Sequence, residues 1–312
     1  MQPAPPAESR FMSQPSTHAG PLDWVQLALL TVLWGTAYAF IGVAVETLSA
    51  SALVFIRIAL AAAMLTAYAY AHGRRLPPLR DKRWPWMLGL GLFGNAAPFF
   101  LISWGQAQGV ESALTGILVA TMPIATIAIA HFAVPGERMT PRRALGFALG
   151  FGGVLILLGP AAFSDMAEAG LVAQIAIVGA AVCYALNAIL ARLMPDTPPS
   201  VSGAGMLIGG ALLVAPFGIW DLMAGPQIAP VAWAFAFLLA LGPTAFATVL
   251  LMRLARGPGP GFLAVVNYLT PIAAVVTGAL IGEAIGWQAL LALAVILAGV
   301  LLGRKKPPAA DR

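Results

Sequence analysis

The chain has 312 residues, 60% of them hydrophobic and only 9% charged, with a mean hydropathy of +0.88. A water-soluble domain needs about 25% charged residues to cover its surface, so this composition excludes one and points to a bilayer. The net charge of +5 and the pI near 9.8 would imply a nucleic-acid partner only if Lys and Arg clustered on a soluble face, and the apolar composition leaves none.

Residues 1–20, MQPAPPAESRFMSQPSTHAG, are polar and Pro-rich and lack the apolar core of a secretory signal. They read as a disordered cytoplasmic tail, residues 1–21, ahead of an uncleaved first span. A helix rises about 1.5 Å per residue and the hydrocarbon core is about 30 Å thick, so about 20 apolar residues make one crossing. Ten stretches are predicted to cross. The first, 24–45, carries Trp34 and Tyr38, and the second, 51–71, carries Arg57. The third, 85–105, holds GLGLFG (89–94), Asn95, Pro98 and Phe99; the fourth, 112–133, follows Glu111 and holds Pro123 and His131. After 141–159 comes 170–191, with Cys183, Tyr184 and Asn187, then 201–223 and 231–253, the latter with Pro243. The ninth, 261–281, carries Asn267, Thr270 and Pro271, and 286–303 follows Glu283 and precedes a basic cytoplasmic tail, 304–312.

The 17 Lys and Arg residues give an independent check, because positive charge is retained on the cytoplasmic side. With the N-terminus inside, all of them but Arg57 fall on inside segments, and a miscounted span would invert that pattern downstream. Both termini are therefore predicted to be cytoplasmic.

The chain also repeats itself. VATMPIATIAIAHFAVPGE (119–137) and NYLTPIAAVVTGALIGE (267–283) share an apolar run, Pro-Ile-Ala, a second apolar run and Gly-Glu. Pro123 aligns with Pro271, Gly109 with Gly257, and, after a two-residue shift, Gly136–Glu137 with Gly282–Glu283. The predicted units are two five-helix repeats, 22–160 and 161–303. Five is odd, so the second copy enters the membrane from the opposite side, the inverted layout with which many transporters build two gates around a midplane site.

Together with a Trp-Gly in the first span (LLTVLWGTAYAF, 29–40) and an Arg early in the second (VFIRIALAAAM, 54–64), this doubled Pro and "GE" resembles the drug/metabolite transporter superfamily, and within it the EamA-type exporters. The resemblance covers residues 22–303 and extends to bacterial amino-acid exporters. It implies an all-α inner-membrane transporter, outward movement of amino acids or similar metabolites, a small-molecule and a lipid partner, and a monomer as the sufficient unit.

Other chemistries lack machinery in the sequence. GLGLFG lies inside a predicted span, without the strand and acidic residue of a dinucleotide site, and reads as helix packing, as do GFALG (146–150) and GMLIG (205–209). No Walker A, HExxH or GxSxG sequence is present, and the lone Cys183 rules out a Cys-based metal site or an intrachain disulfide, so no enzyme activity, cofactor or metal is expected.

The 12 acidic residues all fall in tails, loops or helix ends, which argues against a buried-acid exporter of cations. A single core cation, Arg57, is too few for nucleotide sugars; two roles stay open for it, gating or structural support and direct carboxylate binding. Glu111, Glu283 and His131 are candidates for proton coupling. Trp34/Tyr38, Asn95/Phe99, Tyr184/Asn187 and Asn267/Thr270 are each three or four residues apart and so share a helix face. As a set they are expected to line a largely neutral cavity. Pro123 and Pro271 are expected to act as paired hinges. The sequence reading is thus a secondary transporter of small neutral or zwitterionic metabolites working by alternating access, with efflux of hydrophobic drugs, a membrane enzyme and a non-transporting scaffold as the alternatives.

Overall fold

A computed structural model describes residues 19–134, 139–158, 169–224 and 227–303. Most of the predicted N-terminal tail, the basic tail 304–312 and the Gly136–Glu137 pair lie outside the described residues. Every regular element among them is helical: α1 (Pro21–Ala44), α2 (Ala50–Ala71), α3 (Trp84–Ala107), α4 (Ser112–Ala133), α5 (Pro141–Leu158), α6 (Ala169–Leu193), α7 (Pro199–Ala224), α8 (Pro230–Arg256), α9 (Gly261–Leu280) and α10 (Trp287–Gly303). Eight of these, α1 to α4 and α6 to α9, are long and apolar enough to cross a membrane. α10 is apolar but has 17 residues, about 26 Å of helix against a core of about 30 Å, and α5 opens on the adjacent charges Arg142 and Arg143.

Local chemistry sets the ends. Pro stands in the first turn of α1, α3, α5, α7 and α8, where its missing N–H is one that the helix leaves unpaired anyway. Ser49 caps α2 by accepting a hydrogen bond from the Ala52 amide at 3.2 Å. At the start of α3, Arg83 holds Asp81 at 2.8 Å and depresses its carboxyl to about 2; the contribution of this exposed pair is present above the ordinary carboxylate range and fades as the pH falls towards 2. Left-handed glycines follow α2, α3, α8 and α9, namely Gly73, Gly109, Gly259 and Gly282. The backbone counterpart of Gly109 is therefore Gly259, two residues beyond the sequence alignment with Gly257.

Packing follows a two-repeat pattern. α1 packs on α8 and α9, α6 on α3 and α4, α2 on α7 and α8, α3 on α7, α4 on α9, and α5 on α10. Exchanging each helix for the one five places away turns α1–α9 into α6–α4, α1–α8 into α6–α3, and α2–α8 into α7–α3. The same exchange returns α2–α7, α4–α9 and α5–α10 unchanged. The small-residue motifs make these contacts inside the chain. A Cβ on Gly91 would stand 2.4 Å from the Gly210 amide and 2.5 Å from the Met206 carbonyl, and one on Gly146 would stand 2.6 Å from the Gly299 carbonyl. Gly91→Ala is accordingly expected to destabilise the protein by about 1–3 kcal/mol through backbone overpacking. Gly152→Ala, with nothing within 4 Å of its Cβ, should be neutral or slightly stabilising. Thermal unfolding of the two variants decides this, and equal midpoints would contradict the packing account.

The third helix of each half departs from α geometry at matching places. α3 widens to a π turn at Leu92–Ala96 and α8 at Ala240–Phe246, with starts 148 positions apart. Pro98 follows the first and Pro243 lies within the second. A proline cannot donate to the carbonyl four residues back and crowds it, and a wider turn relieves both problems. α4 is interrupted at Ala120 and Thr121, just before Pro123, whereas Pro271 lies within the unbroken Val266–Leu280 segment and α9 is interrupted earlier, after Leu263. The two aligned prolines thus stand in different local settings.

Candidate functional site

The centre of the molecule is organised around Arg57. Its side chain is buried, its Nε donates to Thr244 Oγ1 at 2.7 Å, and its guanidinium carbon lies 3.7 Å from the centroid of the Phe99 ring. That geometry combines a hydrogen bond with a cation–π contact, both strengthened by exclusion of water. Tyr38 from α1 and Tyr184 from α6 lie within electrostatic reach of the same guanidinium. Arg57 is enclosed by α2, α3 and α8, with no carboxylate paired to it among the described residues.

The π turn of α8 explains how Thr244 comes to meet it. The Thr244 hydroxyl donates to the Leu239 carbonyl at 2.8 Å, five residues back, while its oxygen receives Arg57. The neighbouring carbonyl of Pro243 accepts the Trp34 indole N–H at 3.2 Å. Trp34 and Tyr38 therefore do come to the centre, one on the bent backbone of α8 and the other beside the arginine.

A second polar feature runs along α3. Asn95, Phe99, Ser103 and Gln106 follow at intervals of four, four and three residues, which places them on one face, and all four are buried. Asn95 Nδ2, Ser103 Oγ and both amide atoms of Gln106 have no hydrogen-bond partner, and neither do Gln174 Oε1 and Asn187 Oδ1 on α6, the helix packed against α3. Asn187 lies against Gly94, whose added Cβ would be 2.7 Å from Oδ1. An unpartnered buried polar group costs about 1–3 kcal/mol, so six such atoms along one helix pair concentrate a substantial polar cost at the α3–α6 seam.

One end of the molecule is clasped. Glu283, in the loop after α9, accepts hydrogen bonds from the backbone amides of Ser112 and Ala113 at 2.7 and 2.8 Å, capping α4 from the other half of the chain. Beneath it α4 and α9 approach closely: a Cβ on Gly116 would lie 2.3 Å from that of Ala274, and one on Gly278 would lie 2.9 Å from that of Ala113. At the same end Asp221 of α7 accepts from Ser49 at 2.7 Å and from Ser51. Beyond the interruption at Ala120 and Thr121, the second half of α4 leans on α6 and α5 while α9 packs on the first half. The α4–α9 seam is thus closed at the Glu283 end.

The remaining predicted residues stand elsewhere. Asn267 and Thr270 are half-buried on α9, neither touches Arg57, and the Thr270 hydroxyl donates to the Val266 carbonyl at 2.8 Å. Glu111 is the exposed N-cap residue of α4. His131 is exposed near the C-terminal end of α4, where its Nδ1 accepts from the Met139 amide at 3.1 Å. A groove of about 790 Å³ between α2, α3 and α7 is lined by Leu92, Phe100, Trp104, Phe217, Trp220 and Asp221 among others, and by none of the eight predicted cavity residues. Sequence reading missed Thr244, Ser103, Gln106, Gln174 and Asp221. The spacing along α3 was the available signal for Ser103 and Gln106.

The family model described as the EamA-like transporter family matches the chain twice, over residues 23–159 and 171–303. The chain belongs to the EamA-like transporter family. Its two matched segments agree with the two-repeat packing above, and it is a multi-pass membrane transporter of the drug/metabolite transporter superfamily. The chain is 26% identical over 284 residues to the uncharacterized inner membrane transporter YedA of Escherichia coli strain K12, covering 88% of each protein. It is 25% identical over 195 residues to an uncharacterized transporter of Archaeoglobus fulgidus, covering 62% of this chain and 66% of the relative. A solved crystal structure superposes on this EamA-like protein with a TM-score of 0.62 at 22% identity, covering 90% of this chain and 97% of the other, a likeness of fold.

Proposed function

We propose that this EamA-like protein is a secondary transporter of the inner (cytoplasmic) membrane that exports small neutral or zwitterionic metabolites, amino acids foremost. In this reading ten crossings form two inverted five-helix repeats, 22–160 and 161–303, with both termini cytoplasmic and alternating access to the centre. The observation that carries it is Arg57: a buried cation that has no carboxylate partner among the described residues, lying over Phe99 beside Tyr38 and Tyr184, next to a seam of unpartnered amides. A solute carboxylate would satisfy the guanidinium, and Asn95, Asn187 and Gln106 would take its neutral or amino groups. Desolvated arginine favours planar carboxylates, which selects for a zwitterion over a plain amine. Charge on both partners need not make release slow, because the rest of the contact set is uncharged.

Binding is testable by thermal unfolding of the purified protein with a panel of amino acids and the amines made from them by removing the carboxylate. The amino acids are expected to raise the midpoint and the amines to leave it unchanged; equal shifts would sink the carboxylate reading. One observation favours the second reading, efflux of hydrophobic drugs. The apolar 790 Å³ groove, with Asp221 at its lining, has the chemistry for such a guest. Stabilisation by hydrophobic drugs and not by amino acids would select it.

Within the transport cycle, the interruption before Pro123 is where α4 would bend. Pro123→Ala is expected to lower turnover more than substrate affinity, and Pro271→Ala, in an unbroken helix, to do so less. Initial rates against substrate concentration separate the two, and unchanged transport in both variants would remove the hinges.

A further inference from the structure

Where α2 ends, α7 begins and α8 ends, a second concavity of about 240 Å³ is lined by Tyr68, His72, Arg74, Ser200, Arg253 and Arg256 and floored by apolar groups of α8. Three arginines, Arg74, Arg253 and Arg256, thus line one concavity, and none is paired with a carboxylate among the described residues. The nearby acid, Asp23, has its Oδ1 3.9 Å from where a Cβ on Gly257 would stand, accepts the Gly20 amide through Oδ2 at 2.9 Å, and forms no ion pair with these arginines. His72 packs against Tyr68 with ring centroids 4.2 Å apart and planes tilted by 38°, and its Nδ1 is engaged with the Tyr68 carbonyl at 2.8 Å, leaving Nε2 for a ligand. Ser200, in the first turn of the 26-residue α7, is 6% exposed, and its hydroxyl has no partner.

Basic side chains at the ends of α2 and α8 offset helix dipoles, which accounts for each arginine singly. It does not account for their convergence on one concavity with an orphaned, buried hydroxyl at the positive end of a third helix. We propose that this pocket binds a phosphate-bearing anion, either the headgroup of an anionic lipid or a free phosphate. Arginine forks and a hydroxyl match phosphate oxygens, and a volume below the roughly 300 Å³ of metabolite pockets suits a headgroup or a small ion. The site is separate from the Arg57 centre, so it stands whether or not the substrate assignment does.

The test uses the full-length protein in neutral detergent. Native mass spectrometry compares binding of phosphatidylglycerol with phosphatidylcholine, and thermal unfolding compares inorganic phosphate with chloride at matched ionic strength. The variants are Arg253→Gln/Arg256→Gln, Ser200→Ala and, as a control on an exposed loop, Arg80→Gln. A lipid headgroup is indicated by a phosphatidylglycerol preference that falls about tenfold or more in the double variant and persists in the control. A free phosphate is indicated by stabilisation with inorganic phosphate that the double variant loses. Should the double variant not fold, the charge-neutral Ser200→Ala still has to weaken binding. Neither preference in the wild type, an equal loss in Arg80→Gln, or undiminished binding in Ser200→Ala would overturn the proposal.

Discussion

Arg57→Met is expected to abolish transport while leaving the protein at least as stable as the wild type. A buried cation without a counter-charge costs several kcal/mol of desolvation, and well-packed apolar replacements of buried ions are often neutral or stabilising. Methionine fills the space over Phe99, and Thr244 keeps its bond to the Leu239 carbonyl. The solute carboxylate loses its partner, at about 1.5–3 kcal/mol, a factor of about ten to a hundred in affinity, and any larger loss falls on turnover. Arg57→Lys should recover little, because an ammonium supplies neither the planar stack nor the fork. A purely structural arginine gives the opposite signature: Met lowers the unfolding midpoint, and flux falls only with the folded fraction. Unfolding and flux measured on the same preparations separate the two.

Glu283→Gln is expected to loosen the clasped end. The carboxylate binds two amides at the N-terminus of α4, where both the hydrogen bonds and the helix dipole favour negative charge. Glutamine keeps the shape but offers a single acceptor oxygen, so about 1–2 kcal/mol is lost, enough to move a closed–open equilibrium about tenfold. Because Cys183 is the lone cysteine, a Cys183→Ser background permits spin labels at the exposed positions 111 and 280. Longer distances should be populated in Glu283→Gln, with or without a proton gradient. An unchanged distribution, combined with loss of gradient dependence alone, would make Glu283 a coupling group and remove the clasp.

The helices were legible because twenty-residue apolar runs have few alternatives in a bilayer, and the Pro and Gly-Glu repeat gave the family. Helix bends were less so. Prolines at 98 and 243 were visible, yet no sequence rule says that the strain resolves as π turns, and it is the π turn of α8 that hands Thr244 to Arg57. Arg57 stood out as the single core charge, but whether a long side chain turns to the interface or to the centre depends on which neighbours enclose it. Glu283 was recognisable as half of a repeated dipeptide; its partners, 171 and 170 residues away, were not. The pairs on α1, α3 and α6 lie near Arg57 because α3 packs on α6 and also touches α1, whereas Asn267 and Thr270, chosen by the same spacing, sit on α9 without touching Arg57.

The central claim is carriage of a zwitterion through the Arg57 centre, and flux in proteoliposomes tests it most directly. Vesicles containing only this protein, loaded with labelled amino acids, are followed with and without a proton gradient, in wild type and in Arg57→Met. Saturable movement in the wild type that Arg57→Met loses is the result predicted here. No movement of amino acids in the wild type, or equal movement in both proteins, would contradict it.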